Sequence, residues 1–147
     1  MRVIFLDFDG VLHPANASPG SQLPFEWLNA LAALLARHPE VGVVVHSSWR
    51  TAYSIDEIRE FLASLGVRTM ALAGPGAKSE AVQAHLDAHP DIEDFLILDD
   101  DEREFSASGW QGHLLLCNSA TGIGHPHAQR QLADWLERPG APCRPKI

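Results

Sequence analysis

The chain has 147 residues and a mass of 16.1 kDa, room for about one domain built on a single core. Hydrophobic residues make up 46% and charged residues 20%, a globular balance with no apolar run long enough for a membrane span, which argues against both disorder and a transmembrane segment. With 19 acidic against 11 basic residues the formal charge is −8, which argues against sequence-independent coating of a nucleic acid and leaves room only for a local basic pocket.

Short apolar runs alternate with segments of helical period, the sign of βα units on a parallel sheet. In chain order the expected strands are 3–6, 41–45, 67–72, 95–98 and 114–116. Between them, Phe25, Leu28, Leu31, Leu34 and Leu35 form one helical stripe. Ile55, Ile58, Phe61, Leu62 and Leu65 form another, opened by a capping box of Ser54 and Glu57. A third helix is expected from about Ala77 through Val82 and Leu86, and a last one carries Ala128, Leu132, Trp135 and Leu136. The expected organisation is one α/β domain over 1–138, with a proline-marked irregular tail over 139–147. Cys117 and Cys143 make no C-x-x-C pair, and Met1-Arg2 runs directly into a strand without a secretory pattern, so a cytoplasmic protein is expected.

On an open parallel sheet, functional groups gather at the carboxyl ends of strands. The first strand ends in Asp7-Phe8-Asp9-Gly10, where i, i+2 spacing in extended chain sends both carboxylates to one side and Gly10 lets the backbone turn. Two acids this close call for a cation or a shared proton, although a solvated strand end with an Asx turn has the same letters. The second strand ends in His46-Ser47-Ser48-Trp49-Arg50. Ser47, or Ser48 if the strand runs one residue further, is either a donor to a phosphoryl oxygen or a helix N-cap. Arg50 either pairs bidentately with an anion or with a carboxylate of its own helix. Lys78 opens the third helix, where the macrodipole disfavours a cation, so something anionic should face it. The fourth strand ends in Asp99-Asp100-Asp101. Taken in order, acid pair, hydroxyl, lysine and acid pair describe a metal-assisted phosphate site.

This constellation resembles the haloacid dehalogenase (HAD) superfamily: D-x-D-G, a strand-end Ser, a helix-opening Lys and an apolar strand ending in D-D, spread from Asp7 to Asp100. The wording FLDFDGVLHP, SSWR and LILDDD, with Thr121-Gly122-Ile123-Gly124 before the last helix, looks most like the small HAD domain associated with RNA-repair proteins. One departure is Val11, where many phosphatases of the superfamily carry Thr. A receiver domain also combines acids, a hydroxyl and a lysine, but its lysine comes last, and here acids follow Lys78.

The resemblance implies a three-layer, Rossmann-like α/β fold with a central parallel sheet of about five strands. It implies a phosphomonoester hydrolase in which Asp7 is the nucleophile that forms an aspartyl-phosphate and Asp9 the general acid and base. Ser47 and Lys78 would complete the catalytic set, and Ser47, Ser48, Arg50 and Lys78 would hold the substrate. Mg²⁺ would be bound by Asp7, the backbone carbonyl of Asp9 and Asp99, with Asp100 next in line. Removing Asp99 is expected to relieve repulsion in the metal-free acidic cluster. Residues 13–40 and 51–77 are used up by single loops, helices and one strand, so no cap domain is expected and the site should lie open. An open site suits a bulky phosphorylated substrate such as a nucleotide or a nucleic-acid end. The alternatives are phosphotransfer to an acceptor other than water, or an idle HAD-fold binding module. His13, His46, His125 and His127 carry no role in the pattern and are read as surface or cap residues rather than as metal ligands.

Overall fold

The computed structural model describes residues 1–15 and 25–138. The tail expected over 139–147 and most of the loop after Pro14 lie outside the described residues. Five parallel strands, β1 (Arg2–Leu6), β2 (Gly42–Val45), β3 (Thr69–Leu72), β4 (Asp94–Asp99) and β5 (Leu114–Leu116), form one sheet in the order β3-β2-β1-β4-β5. Residues 2–6 are buried throughout, as a central strand covered on both faces must be.

Strand alternation sorts the core into two layers. Ile4, Leu6, Val43, Val45, Leu96 and Leu98 face α1 (Leu28–Leu35), α2 (Ile55–Phe61) and α4 (Pro126–Glu137), which contribute Leu31, Ile58 and Leu132 among others. Val3, Phe5, Val44, Phe95 and Ile97 face α3 (Lys78–Ala88), which contributes Ala81, Val82 and Leu86. Helices on both faces of a parallel sheet make this the three-layer, Rossmann-like fold expected. Among the described residues there are otherwise only short 3₁₀ turns, and no cap domain. No helix among them is long and apolar enough to cross a membrane.

The capping box of α2 is formed: Glu57 N–H donates to Ser54 Oγ at 3.1 Å and Ser54 N–H to Glu57 Oε1 at 3.0 Å. Helix α4 opens on Pro126 with His125 as its N-cap, the ring Nδ1 accepting from His127 N–H at 3.0 Å. These two histidines thus form a cap.

Several boundaries differ from expectation; α2 ends at Phe61, which leaves Leu62 and Leu65 of its expected stripe in the turn that follows. Strand β3 starts at Thr69 rather than Val67, because Gly66 turns with φ +68° and Arg68 swings away to donate to the carbonyls of Leu35, His38, Val41 and Leu65. That leaves Val67 fully exposed. Helix α1 starts at Leu28, and Phe25 stands outside it with φ +62°, although its ring still packs on the core.

Candidate active site at the carboxyl ends of β1, β2 and β4

The alternation that builds the core also builds the site. Asp7 continues the parity of Val3 and Phe5, His46 that of Val44, and Asp99 that of Phe95 and Ile97, so all three belong to the face covered by α3. Lys78 is the first residue of that helix, and its Nζ stands 3.2 Å from Asp7 Oδ2 and 3.3 Å from Asp99 Oδ2. The anions that hold a cation at this helix start are therefore the strand-end carboxylates of the chain itself.

Asp7 is almost wholly buried. Burial and the neighbouring Asp99 carboxylate push its pKa up to about 7 against the pull of Lys78. Asp99 is completely buried yet held down at about 2. The desolvation that would raise it is outweighed by donors on every side: His46 Nε2 at 2.7 Å, Lys78 Nζ at 3.3 Å and Asp101 N–H at 2.9 Å. Burial lowers the pKa of His46, so its ring is neutral and donates through Nε2. Burial opposes the Lys78 ammonium, but Asp7 and Asp99 outweigh it and raise its pKa.

Asp100, raised by partial burial and by Asp99, completes the acidic group. One carboxylate oxygen from each of Asp7, Asp99 and Asp100 lies within 4.8 Å of the others. A purely oxygen donor set of this charge fits a hard divalent cation. Gly10 is required beside it on two counts: its φ is +79°, and a Cβ there would overlap the Asp100 carboxylate.

Asp9 has partners of its own. The strand ends at Leu6 and the chain then turns, with Leu12 N–H donating to Phe8 O at 2.8 Å; among the described residues the Asp7 and Asp9 carboxylates share no hydrogen-bond partner. Asp9 Oδ1 accepts from His13 Nε2 at 2.6 Å and Oδ2 from Trp49 Nε1 at 3.3 Å. Its carboxylate is not part of the three-acid group.

Ser47 is buried, and its Oγ accepts from Trp49 N–H at 3.2 Å, capping the 3₁₀ turn Ser48–Thr51 while keeping its own hydrogen to donate. Ser48 is exposed. Arg50 is engaged elsewhere: Nε donates to Gly74 O, Nη1 to His46 O and Ser47 O, and Nη2 to Gly76 O, at 2.6–3.2 Å. Among the described residues no carboxylate pairs with Arg50, so the pairing with a carboxylate of its own helix is not formed. Its fork instead straps the end of β2 to the loop that leads into α3.

The sequence pattern missed three site side chains. His13 and His46 were expected on the surface or at caps, but both are buried, each against a site carboxylate. Trp49 belongs to the SSWR stretch, where the pattern gives it no role. The parity of Val44 with His46 was the available signal for one of them. Nothing in the sequence pairs His13 or Trp49 with Asp9.

A family model described as "HAD domain in Swiss Army Knife RNA repair proteins" matches residues 3–128. No curated protein and no solved structure matches the chain.

Proposed function

Because the chain belongs to the family of HAD domains found in Swiss Army Knife RNA repair proteins, we propose that it is a Mg²⁺-dependent phosphomonoester hydrolase acting on a phosphorylated nucleotide or nucleic-acid end. The observation that carries this reading is the contact of Lys78 Nζ with both Asp7 and Asp99, beside a three-acid group, at the carboxyl ends of the central strand β1 and its neighbour β4.

In this reading Asp7 attacks phosphorus in line, forming the aspartyl-phosphate as the bond to the leaving oxygen breaks. Asp9 gives that oxygen a proton; it then takes one from the water that attacks the phosphorus and restores the Asp7 carboxylate. Each Asp9 oxygen has two acceptor sites, so the bonds from His13 and Trp49 leave room for the travelling proton. Lys78 opposes the charge of the phosphoryl group, and the Ser47 hydroxyl, with its hydrogen uncommitted, donates to it. Asp7, Asp99 and Asp100, with the Asp9 carbonyl, are the residues that would hold Mg²⁺. The ion would supply the positive charge that ionises Asp7 and lets it approach an anionic phosphate.

The family's tie to RNA repair supports the nucleic-acid end as substrate class, and the absence of a cap domain among the described residues supports a bulky one. Phosphate release from an aryl phosphate and from end-phosphorylated oligonucleotides, with and without Mg²⁺, tests the reading. Asp7→Asn should lower turnover by about a thousandfold or more. A variant that keeps most of the wild-type rate would remove Asp7 as nucleophile.

A further inference from the structure

His13 uses both of its ring nitrogens. Nε2 lies 2.6 Å from Asp9 Oδ1, and Nδ1 accepts from Phe25 N–H at 3.1 Å. A nitrogen that accepts from a backbone amide carries no hydrogen, so the hydrogen of the neutral ring sits on Nε2 and points at Asp9. The backbone enforces the same approach: Gly10 N–H donates to His13 O at 2.7 Å, closing a tight loop from Asp9 to His13.

Phe25 is the one non-glycine residue with positive φ among the described residues, at +62°. A bulky residue in that left-handed region is strained. Its ring is held by Phe8 at 5.2 Å, Trp49 at 5.2 Å and Phe61 at 5.6 Å between centroids, packing that offsets the strain. What the strained backbone delivers is an amide hydrogen aimed at an imidazole. Simple filling of the core would need an apolar side chain at position 13, without a polar partner at each end of a nearly buried ring.

We propose that His13, its tautomer fixed by the Phe25 amide, is a positioning residue that holds the Asp9 carboxylate in one orientation for proton transfer to and from the reacting oxygens. The inference rests on the hydrolase reading above. Asp9 is the more exposed partner, its side chain 46% accessible against 9% for His13, so the histidine is the fixed point and the carboxylate the group being held. Trp49 Nε1 holds the other oxygen, which leaves the carboxylate little freedom to rotate.

Two measurements test it. Long-range ¹H–¹⁵N correlation of the histidine rings at neutral pH should show His13 protonated at Nε2 and bare at Nδ1, with the Nε2–H resonance moving in Asp9→Asn. A hydrogen on Nδ1, or a ring indifferent to Asp9→Asn, overturns the proposal whether or not the protein is an enzyme. In single turnover, His13→Leu should slow phosphorylation by an alkyl phosphate about tenfold more than by an aryl phosphate, whose leaving group needs no proton, with substrate affinity little changed. His13→Gln, which can place an amide N–H near the Nε2 position, should restore much of the loss. Equal losses on the two substrates, or a Gln variant no better than Leu, would leave His13 to structure alone. Wild-type protein silent on both substrates would instead overturn the hydrolase reading, and the ring spectra then decide His13 by themselves.

Discussion

His46 Nε2 donates to Asp99 Oδ2 across 2.7 Å at a point where neither side chain has any exposed surface. The pair makes Asp99 a structural residue as well as a candidate ligand, which changes what its removal should do. In the metal-free protein Asp99→Ala should lose about 1–3 kcal/mol, because the His46 N–H is left buried without an acceptor. Relief of repulsion belongs to Asp100, whose pKa is raised by burial and by Asp99; Asp100→Ala should change stability by less than about 0.5 kcal/mol or increase it. Urea midpoints in EDTA separate the two. Equal midpoints for the variants would mean that the His46 contact contributes nothing.

The raised pKa of Asp7 makes stability depend on pH and on metal together. The folded protein binds the Asp7 proton up to about pH 7, whereas an unfolded aspartate releases it near 3.8. The stabilisation is therefore complete below about 3.8 and is lost as pH rises through about 7. In EDTA, Tm should fall between pH 5 and pH 8 from this group, and Asp7→Asn should flatten that fall. Mg²⁺ should raise Tm more at pH 8 than at pH 5.5, since at low pH it must first displace the proton. A Mg²⁺ shift that is the same at both values would remove Asp7 from the ligand set.

Lys78→Met keeps the length of the side chain and removes its charge from between Asp7 and Asp99. Activity should drop by at least about a hundredfold. In EDTA the stability loss should be larger at pH 8, where both carboxylates would be ionised, than at pH 5, where Asp7 carries a proton. A loss independent of pH would mean that the lysine contributes packing rather than charge.

Arg50 gives a contrast between strapping and gripping. Because its guanidinium is spent on four carbonyls, Arg50→Lys should lower stability by about 1–2 kcal/mol and lower kcat/KM by the same factor on a mononucleotide and on an end-phosphorylated oligonucleotide. A loss confined to the oligonucleotide would return the arginine to the substrate.

The sheet was legible in the sequence because fully buried parallel strands are apolar without interruption, and the residues that end them stand out by charge: Asp7 after Leu6, Asp99 after Leu98. Lys78 was legible for the opposite reason, as a cation at a helix start where the backbone gives it no welcome. What escaped was set by backbone departures that apolar periodicity does not encode. Phe25 satisfies the stripe of α1 with its ring while its backbone leaves the helix to serve His13. Arg68 is drawn off β3 by carbonyls contributed from around α1. Partners such as Asp9 and Trp49 belong to separate loops, and neither sequence position carries a trace of the other.

The strand order has a consequence for how the molecule is made. On the ribosome β1 emerges first, but one of its two edges stays bare until β4 has been synthesised, because β4 is its partner on that side. Until then an apolar strand with open amides and carbonyls waits beside β2, the kind of edge that recruits other chains. The same late arrival brings Asp99 to Asp7 and Lys78, so closing the sheet and assembling the acidic centre are one event. A chain cut short before β4 should therefore give insoluble material rather than a weak enzyme, and no half-built intermediate should carry a partial site.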